Sequence, residues 1–207
     1  MVPLLVDFTG KKVAIFGGGE VGARKAAFFS PEARVVVYSR SFSPALLELP
    51  VERVETDLGT LTDESLYSLL EGAFCAVAAT PDPVLNNRIG DACRRKNVLF
   101  NNAEGETGDI LVPSVVRGKN FVLAVSTAGS SPAISRFIRE HLEETFPHLD
   151  RMVELQERLR RYLREFVPDP SARREILWKV LKDPDVWNAI PRGEAYTWSL
   201  IAVRYLD

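Results

Sequence analysis

Lys12-Val13-Ala14-Ile15-Phe16-Gly17-Gly18-Gly19-Glu20-Val21-Gly22 is the stretch that decides the fold. Lys12–Phe16 is a short β-branched and aromatic run ending on glycine, and Glu20–Phe29 then reads as a helix rich in alanine and charge. The order is strand, glycine turn, helix. In such a turn the first glycine, here Gly17, makes the tight bend, and the second, Gly19, lets a pyrophosphate approach the backbone. The third, Gly22, lets helix and strand pack closely. The helix also aims unpaired N–H groups and its positive dipole end at the same point, a physical reason to bind a dinucleotide.

Working outward, residues 34–38 supply a second strand whose nearly continuous apolar character fits a parallel sheet buried on both faces. A short helical piece is predicted over 44–49, a third strand over 51–56, and a helix over 63–70 entered from a Thr62 cap. A fourth strand follows over 74–79, a helix over 85–96 and a fifth strand over 98–100. Strands alternating with helices at this spacing imply a doubly wound parallel sheet. The acidic residue often found after the second strand, where it would bind the adenosine ribose, is missing from Tyr38-Ser39-Arg40-Ser41. Arg40 either pairs with a 2′-phosphate, favouring NADP, or stacks on adenine, so NAD is expected with NADP left open.

From Ile110 the rhythm changes. Residues 110–117 and 121–127 are strand-like and joined by Gly118-Lys119-Asn120, a hairpin signal. Ser130-Ser131-Pro132 opens a helix running to about Thr145, which Pro147 ends. The remainder breaks at Val167-Pro168-Asp169-Pro170, Asp183-Pro184 and Pro191-Arg192-Gly193 and reads as three or four short helices. The expected fold class is α/β: a Rossmann doubly wound parallel sheet over 1–110, a hairpin-and-helix module over 111–147 and a C-terminal helical domain over 148–207.

Composition is that of a globular chain: 207 residues, 46% hydrophobic and 26% charged. A net charge of -2 gives no polyanion-binding signature, so no nucleic-acid partner is expected. The first eight residues lack the pattern of a secretory signal, and no apolar run approaches the roughly 20 residues that span a bilayer. No membrane partner and a cytoplasmic location are expected. Cys75 and Cys93 show no metal or redox spacing and read as buried structural thiols, while His141 and His148 read as solvated helix positions. No metal site is expected. The basic run from Arg158 to Arg164 reads as the solvated face of an amphipathic helix, with a site for an acidic ligand as the other reading.

Four landmarks resemble the precorrin-2 dehydrogenase family, including the dehydrogenase module of siroheme synthase, over residues 2–147. They are Gly17-Gly18-Gly19-Glu20-Val21-Gly22-Ala23-Arg24-Lys25; Ala78-Ala79-Thr80 with Asn86; Asn101-Asn102-Ala103-Glu104; and Val125-Ser126-Thr127-Ala128-Gly129-Ser130-Ser131-Pro132-Ala133. The resemblance implies oxidation of precorrin-2 to sirohydrochlorin by NAD⁺ in siroheme biosynthesis. Some members, not all, also insert ferrous iron. It further implies a homodimer interleaved through the strands and helix after residue 110, with the C-terminal helices helping to cover the substrate. By position it gives cofactor contacts at Glu20, Val21, Arg40 and Ser41, with Thr80 near the nicotinamide.

The family usually places an aspartate, proposed as the catalytic acid or base, after its Asn-Val-Ala turn; this chain has Glu104 there. The carboxylate survives with a reach longer by one methylene, and proton abstraction remains chemically sound. The loop that follows is a residue shorter than the usual pattern, which makes Asp109 a second candidate. The substrate carries many carboxylates, so Arg117, Lys119, Arg136 and Arg139 are candidate contacts through the planar fork or point charge that carboxylates accept. Ser126, Thr127 and Ser130 lie in the loop before a helix, a natural carboxylate-binding arrangement. Thr127 stands where some siroheme synthases carry a regulatory phosphorylated serine. A non-catalytic sensor of dinucleotide or tetrapyrrole is the competing reading, motivated by Glu104 and the basic C-terminal helices. A reductase of an unrelated small molecule is the third.

Overall fold

The computed structural model describes residues 1–103 and 108–206. Those residues form two compact units, Met1–Val112 and Pro113–Asp207.

In the first unit β1 (Lys12–Phe16), β2 (Arg34–Ser39), β3 (Glu52–Glu55), β4 (Ala73–Ala78) and β5 (Leu99–Asn102) form a parallel sheet in the order β3-β2-β1-β4-β5. The strand order reverses between β1 and β4, the switch point at which such sheets bind ligands at the carboxyl ends of their strands. Helices α1 (Glu20–Phe29), α2 (Pro44–Leu47), α3 (Asp63–Leu69) and α4 (Pro83–Lys96) make the connections. The central strands are apolar along their whole length because both faces are covered. Ala14, Phe16, Val36 and Ala76 pack in one cluster with Leu66 and Ile89, whereas Val13, Ile15, Val37 and Val77 pack in the other with Ala23, Ala26 and Phe29. Each of the valines, leucines, isoleucines and phenylalanines among them contributes about 1.5–3 kcal/mol on full burial, the alanines less.

Several boundaries differ from the sequence reading, each for a local reason. Helix α4 begins at Pro83, because Asp82 caps it by accepting from Val84 N at 2.9 Å and Leu85 N at 3.3 Å. Strand β5 continues to Asn102 rather than ending at Phe100. Its polar end is stabilised where the chain returns: Asn101 donates from Nδ2 to Ile110 O at 2.9 Å, and Ile110 N donates to Phe100 O at 3.1 Å. Ile110 and Val112 are apolar because they pack on the cluster beneath the sheet, so the hairpin starts later than expected. Thr62 caps α3 as anticipated. Cys75 and Cys93 are buried, and burial pushes both thiols up to about 12.

In the second unit β6 (Ser114–Arg117) and β7 (Val122–Val125) are an antiparallel hairpin, closed by Gly118 N donating to Phe121 O at 3.0 Å. Helix α5 (Pro132–Thr145) follows, with Ser131 as its cap. Helices α6 (Leu149–Phe166), α7 (Pro170–Lys182), α8 (Pro184–Ala189) and α9 (Glu194–Ile201) break where the prolines predict, but α6 is 18 residues long rather than short. Its stripe Met152, Leu155, Leu159 and Leu163 is buried, so packing supports the length. His148 stands at the N-cap position of α6, outside the helix proper. Asp183 ties the end together: it caps α8 through Asp185 N and accepts from Tyr205 Oη at 2.8 Å and Arg204 at 3.0 Å. Burial pushes its carboxyl upward, yet the bonds from Tyr205, Asp185 and Arg204 hold it below the usual range.

Candidate functional site

The glycine loop lies at the carboxyl end of β1. Gly17 has φ +118°, donates to Tyr38 O at 2.9 Å, and would drive a Cβ to 2.3 Å from Ala79 O. A Cβ on Gly22 would stand 2.0 Å from Gly17 O, so α1 rests directly on the turn. Gly19 is different. A Cβ there would meet nothing within 4 Å. Gly19 is also the N-cap of α1 and supplies no side-chain hydrogen bond, whereas Thr62, Asp82 and Ser131 cap their helices with side-chain oxygens. The leading N–H groups of α1, including those of Glu20 and Val21, therefore face an open side of the loop, the arrangement a pyrophosphate fits.

On the β2 side the loop is framed by neighbouring strand ends. Ser41 O packs against Gly18, Ser43 N donates to Gly18 O at 2.8 Å, and Thr56 N donates to Ser39 O at 3.0 Å. This brings Asp57 next to Arg40, with the guanidinium and carboxylate 3.8 Å apart and both substantially exposed. Asp57 also accepts from Gly59 N at 3.0 Å through its other oxygen. A carboxylate thus stands at this end after all, supplied by the end of β3 instead of β2. Sequence reading missed it because the two strand ends meet only in the sheet.

At the opposite end Thr80 is nearly buried and held by fully buried Asn86. Asn86 Oδ1 accepts from Thr80 N at 3.2 Å and Thr80 Oγ1 at 2.7 Å, while Nδ2 donates to Thr80 O at 2.9 Å. The β4–α4 connection is fixed by this reciprocal clamp, next to the loop that Gly17 joins through Ala79. Among the described residues, two buried side-chain oxygens have no partner, Ser43 Oγ and Asn101 Oδ1. Both lie near the carboxyl edge of the sheet; Asn101 belongs to the Asn101-Asn102-Ala103-Glu104 landmark, whereas Ser43 was not singled out from the sequence.

Glu104 lies outside the described residues. Asp109 is engaged locally: its Oδ2 accepts from Phe100 N at 3.1 Å on the edge of β5. In the second unit Thr127 Oγ1 accepts from Ser131 N at 2.9 Å and donates to Ser131 O at 3.0 Å, and Ser126 Oγ accepts from Ala128 N at 3.1 Å. Ser130 N donates to Thr127 O at 3.0 Å. These hydroxyls build the turn into α5. Arg136 pairs with Glu140, Arg139 with Glu140 and Glu143, and Lys119 with Glu154, so the structure gives each of these three predicted cations an acidic neighbour; Arg117 closes β6. Among the described residues no group of three or more His, Cys, Asp or Glu could hold a metal, and no helix is long and apolar enough to cross a membrane.

Residues 4–114 match the family model described as "Putative NAD(P)-binding". Over 200 residues the chain is 41% identical to the precorrin-2 dehydrogenase of Methanosarcina barkeri, an alignment covering 94% of this chain and 88% of that protein. The chain belongs to the precorrin-2 dehydrogenase family. It is also 30% identical over 182 residues to siroheme synthase 1 of Klebsiella pneumoniae, matching 86% of this chain but spanning only 38% of that longer protein. The solved structure of SirC, precorrin-2 dehydrogenase, shares the fold with a TM-score of 0.71 at 21% identity, covering 96% of both chains. For a member of this family a nicotinamide dinucleotide is the cofactor.

Proposed function

We propose that the chain oxidises precorrin-2 to sirohydrochlorin with NAD⁺, releasing NADH and a proton. The observation that carries this reading is the 41% identity to a precorrin-2 dehydrogenase over nearly the whole of both chains. The bound cofactor supplies the hydride acceptor; the protein's part is to place and orient.

The glycine loop binds the pyrophosphate through backbone N–H groups at the α1 terminus, and the Thr80–Asn86 clamp fixes the wall on the nicotinamide side. NAD⁺ is favoured over NADP⁺ by Asp57, which stands against Arg40 and would repel a 2′-phosphate while accepting from a ribose hydroxyl. Glu104 is assigned as the base by its place after Asn101-Asn102-Ala103, in preference to Asp109, whose carboxylate is engaged by Phe100 N. Ser126 and Ser130 are assigned to substrate carboxylates by their place in the loop before α5, and Arg117 by the planar fork that carboxylates accept. A second copy of the chain is proposed to cover α5, which exposes Ile134, Phe137 and Ile138. A cytoplasmic location goes with a pathway of soluble intermediates.

Glu104→Ala tests the assignment. NAD⁺ affinity by calorimetry is expected to be unchanged, while turnover of precorrin-2 falls by about two orders of magnitude, the scale of a lost general base. Turnover near that of the unmodified protein would remove Glu104 from the chemistry. Adding ferrous iron to the sirohydrochlorin formed tests chelation separately.

A further inference from the structure

Arginines of the second unit converge on a cleft that none of the substrate-side candidates lines. It has a volume of about 630 Å³ and lies between α6 and the turn that leads into α9. Arg151, Arg158 and Arg161 line it from α6, flanking the buried stripe of Met152, Leu155 and Leu159, and Arg192 lines it from the opposite wall.

Two of these guanidiniums lie over aromatic rings. Arg158 lies 4.0 Å from the ring centre of Trp198, and Arg192 lies 3.6 Å from that of Tyr196, whose hydroxyl accepts from Arg192 Nη1 at 2.6 Å, leaving the other Arg192 N–H groups open. Stacking covers a guanidinium face and leaves its N–H edge for an anion, with side-chain freedom already reduced. Acidic residues line the cleft too, and Glu194 and Glu154 are engaged. Glu194 pairs with Arg158, and Glu154 accepts from Asn120 Nδ2 at 2.9 Å and lies 3.4 Å from Lys119 Nζ. Glu157 approaches Arg161 only to 3.9 Å, with both side chains largely exposed, a pairing of little strength. Arg151 makes one long contact with Ile190 O at 3.5 Å. Among the described residues Arg151 and Arg192 thus have no close carboxylate and Arg161 only a distant one, so cations outnumber carboxylates in a cavity of ligand size.

The spacing points to the class of ligand. From Arg151 to Arg161 is about 15 Å along a helix axis at 1.5 Å per residue. One compact phosphate cannot meet cations spread over that length, whereas a ring bearing acidic side chains around its rim can. We propose that this cleft is a polycarboxylate site that grips the acidic side chains of the tetrapyrrole. The ligand's identity rests on the proposed reaction; the cleft itself rests on the arginines.

The test uses the full chain and uroporphyrin III, a rim-carboxylated porphyrin, titrated by porphyrin fluorescence. The double variant Arg161→Gln/Arg192→Gln is expected to weaken binding about tenfold or more, as for the loss of charge-assisted hydrogen bonds at a part-exposed site, with NAD⁺ affinity unchanged. Arg161→Gln alone, at an exposed position, shifts affinity in the same direction without disturbing packing. Arg160→Gln, on the same helix but outside the cleft, leaves it unchanged. Binding that ignores the double variant, or that inorganic phosphate displaces as effectively as citrate, overturns the proposal. The two readings separate cleanly: precorrin-2 oxidation with arginine-independent uroporphyrin binding removes the cleft and keeps the reaction. Arginine-dependent binding without any oxidation does the reverse.

Discussion

Gly22→Ala is expected to destabilise the first unit by about 3 kcal/mol, the upper end for an overpacked site, and to weaken NAD⁺ binding by about two orders of magnitude, equivalent to losing two charge-assisted hydrogen bonds. The added Cβ would stand 2.0 Å from Gly17 O and 3.0 Å from Gly17 C, and both are backbone atoms of a turn that cannot rotate away. Relief requires α1 to lift from the loop, yet Ala23, Ala26 and Phe29 hold that helix in the cluster under the sheet. Gly19→Ala is the informative contrast. Its Cβ meets no protein atom within 4 Å, so unfolding by denaturant should be unchanged, while the methyl occupies the space reserved for phosphate and NAD⁺ affinity falls. Unchanged affinity in Gly19→Ala would remove the pyrophosphate from that face.

Asn86→Ala is expected to cost about 2–4 kcal/mol, the sum for two backbone groups left buried without partners, Thr80 N–H and Thr80 C=O. The side chain is fully buried, so little water can take over its bonds. Asn86→Asp keeps acceptors for Thr80 N and Oγ1 but brings a buried charge and loses the donor to Thr80 O, so it should not rescue stability. Denaturant unfolding followed by circular dichroism reads this directly. A loss below about 0.5 kcal/mol, the range of ordinary surface changes, would mean that the clamp contributes nothing.

The sheet was legible where burial on both faces makes a strand apolar throughout, as in Val13 to Phe16, Val35 to Tyr38 and Cys75 to Ala78. It was less legible at β3, whose Glu52, Arg53 and Glu55 belong to an edge, and at Asn101-Asn102, where side-chain bonds to a returning segment replace apolar packing. Glycine spacing was legible because Gly17 and Gly22 answer steric demands local to the turn, while Gly19 leaves its face open. Asp57 was hidden because its meeting with Arg40 is a product of strand order. The partners of Arg136 and Arg139 were visible as glutamates four residues on, a spacing that favours pairing within the helix. The cleft formed by Arg151, Arg158, Arg161 and Arg192 could not be read from the basic run alone, since Arg192 arrives from a distant turn and the stacking partners from α9.

Oxidation of precorrin-2 by this chain yields two products together, sirohydrochlorin and the reduced dinucleotide. The direct measurement is the simultaneous yield of sirohydrochlorin and reduced cofactor from purified protein and precorrin-2 under anaerobic conditions, with NAD⁺ and NADP⁺ in parallel. The account predicts equimolar NADH and sirohydrochlorin, with NAD⁺ the better oxidant and the preference narrowed by Asp57→Asn. Absence of sirohydrochlorin with both cofactors, while NAD⁺ still binds, would contradict it.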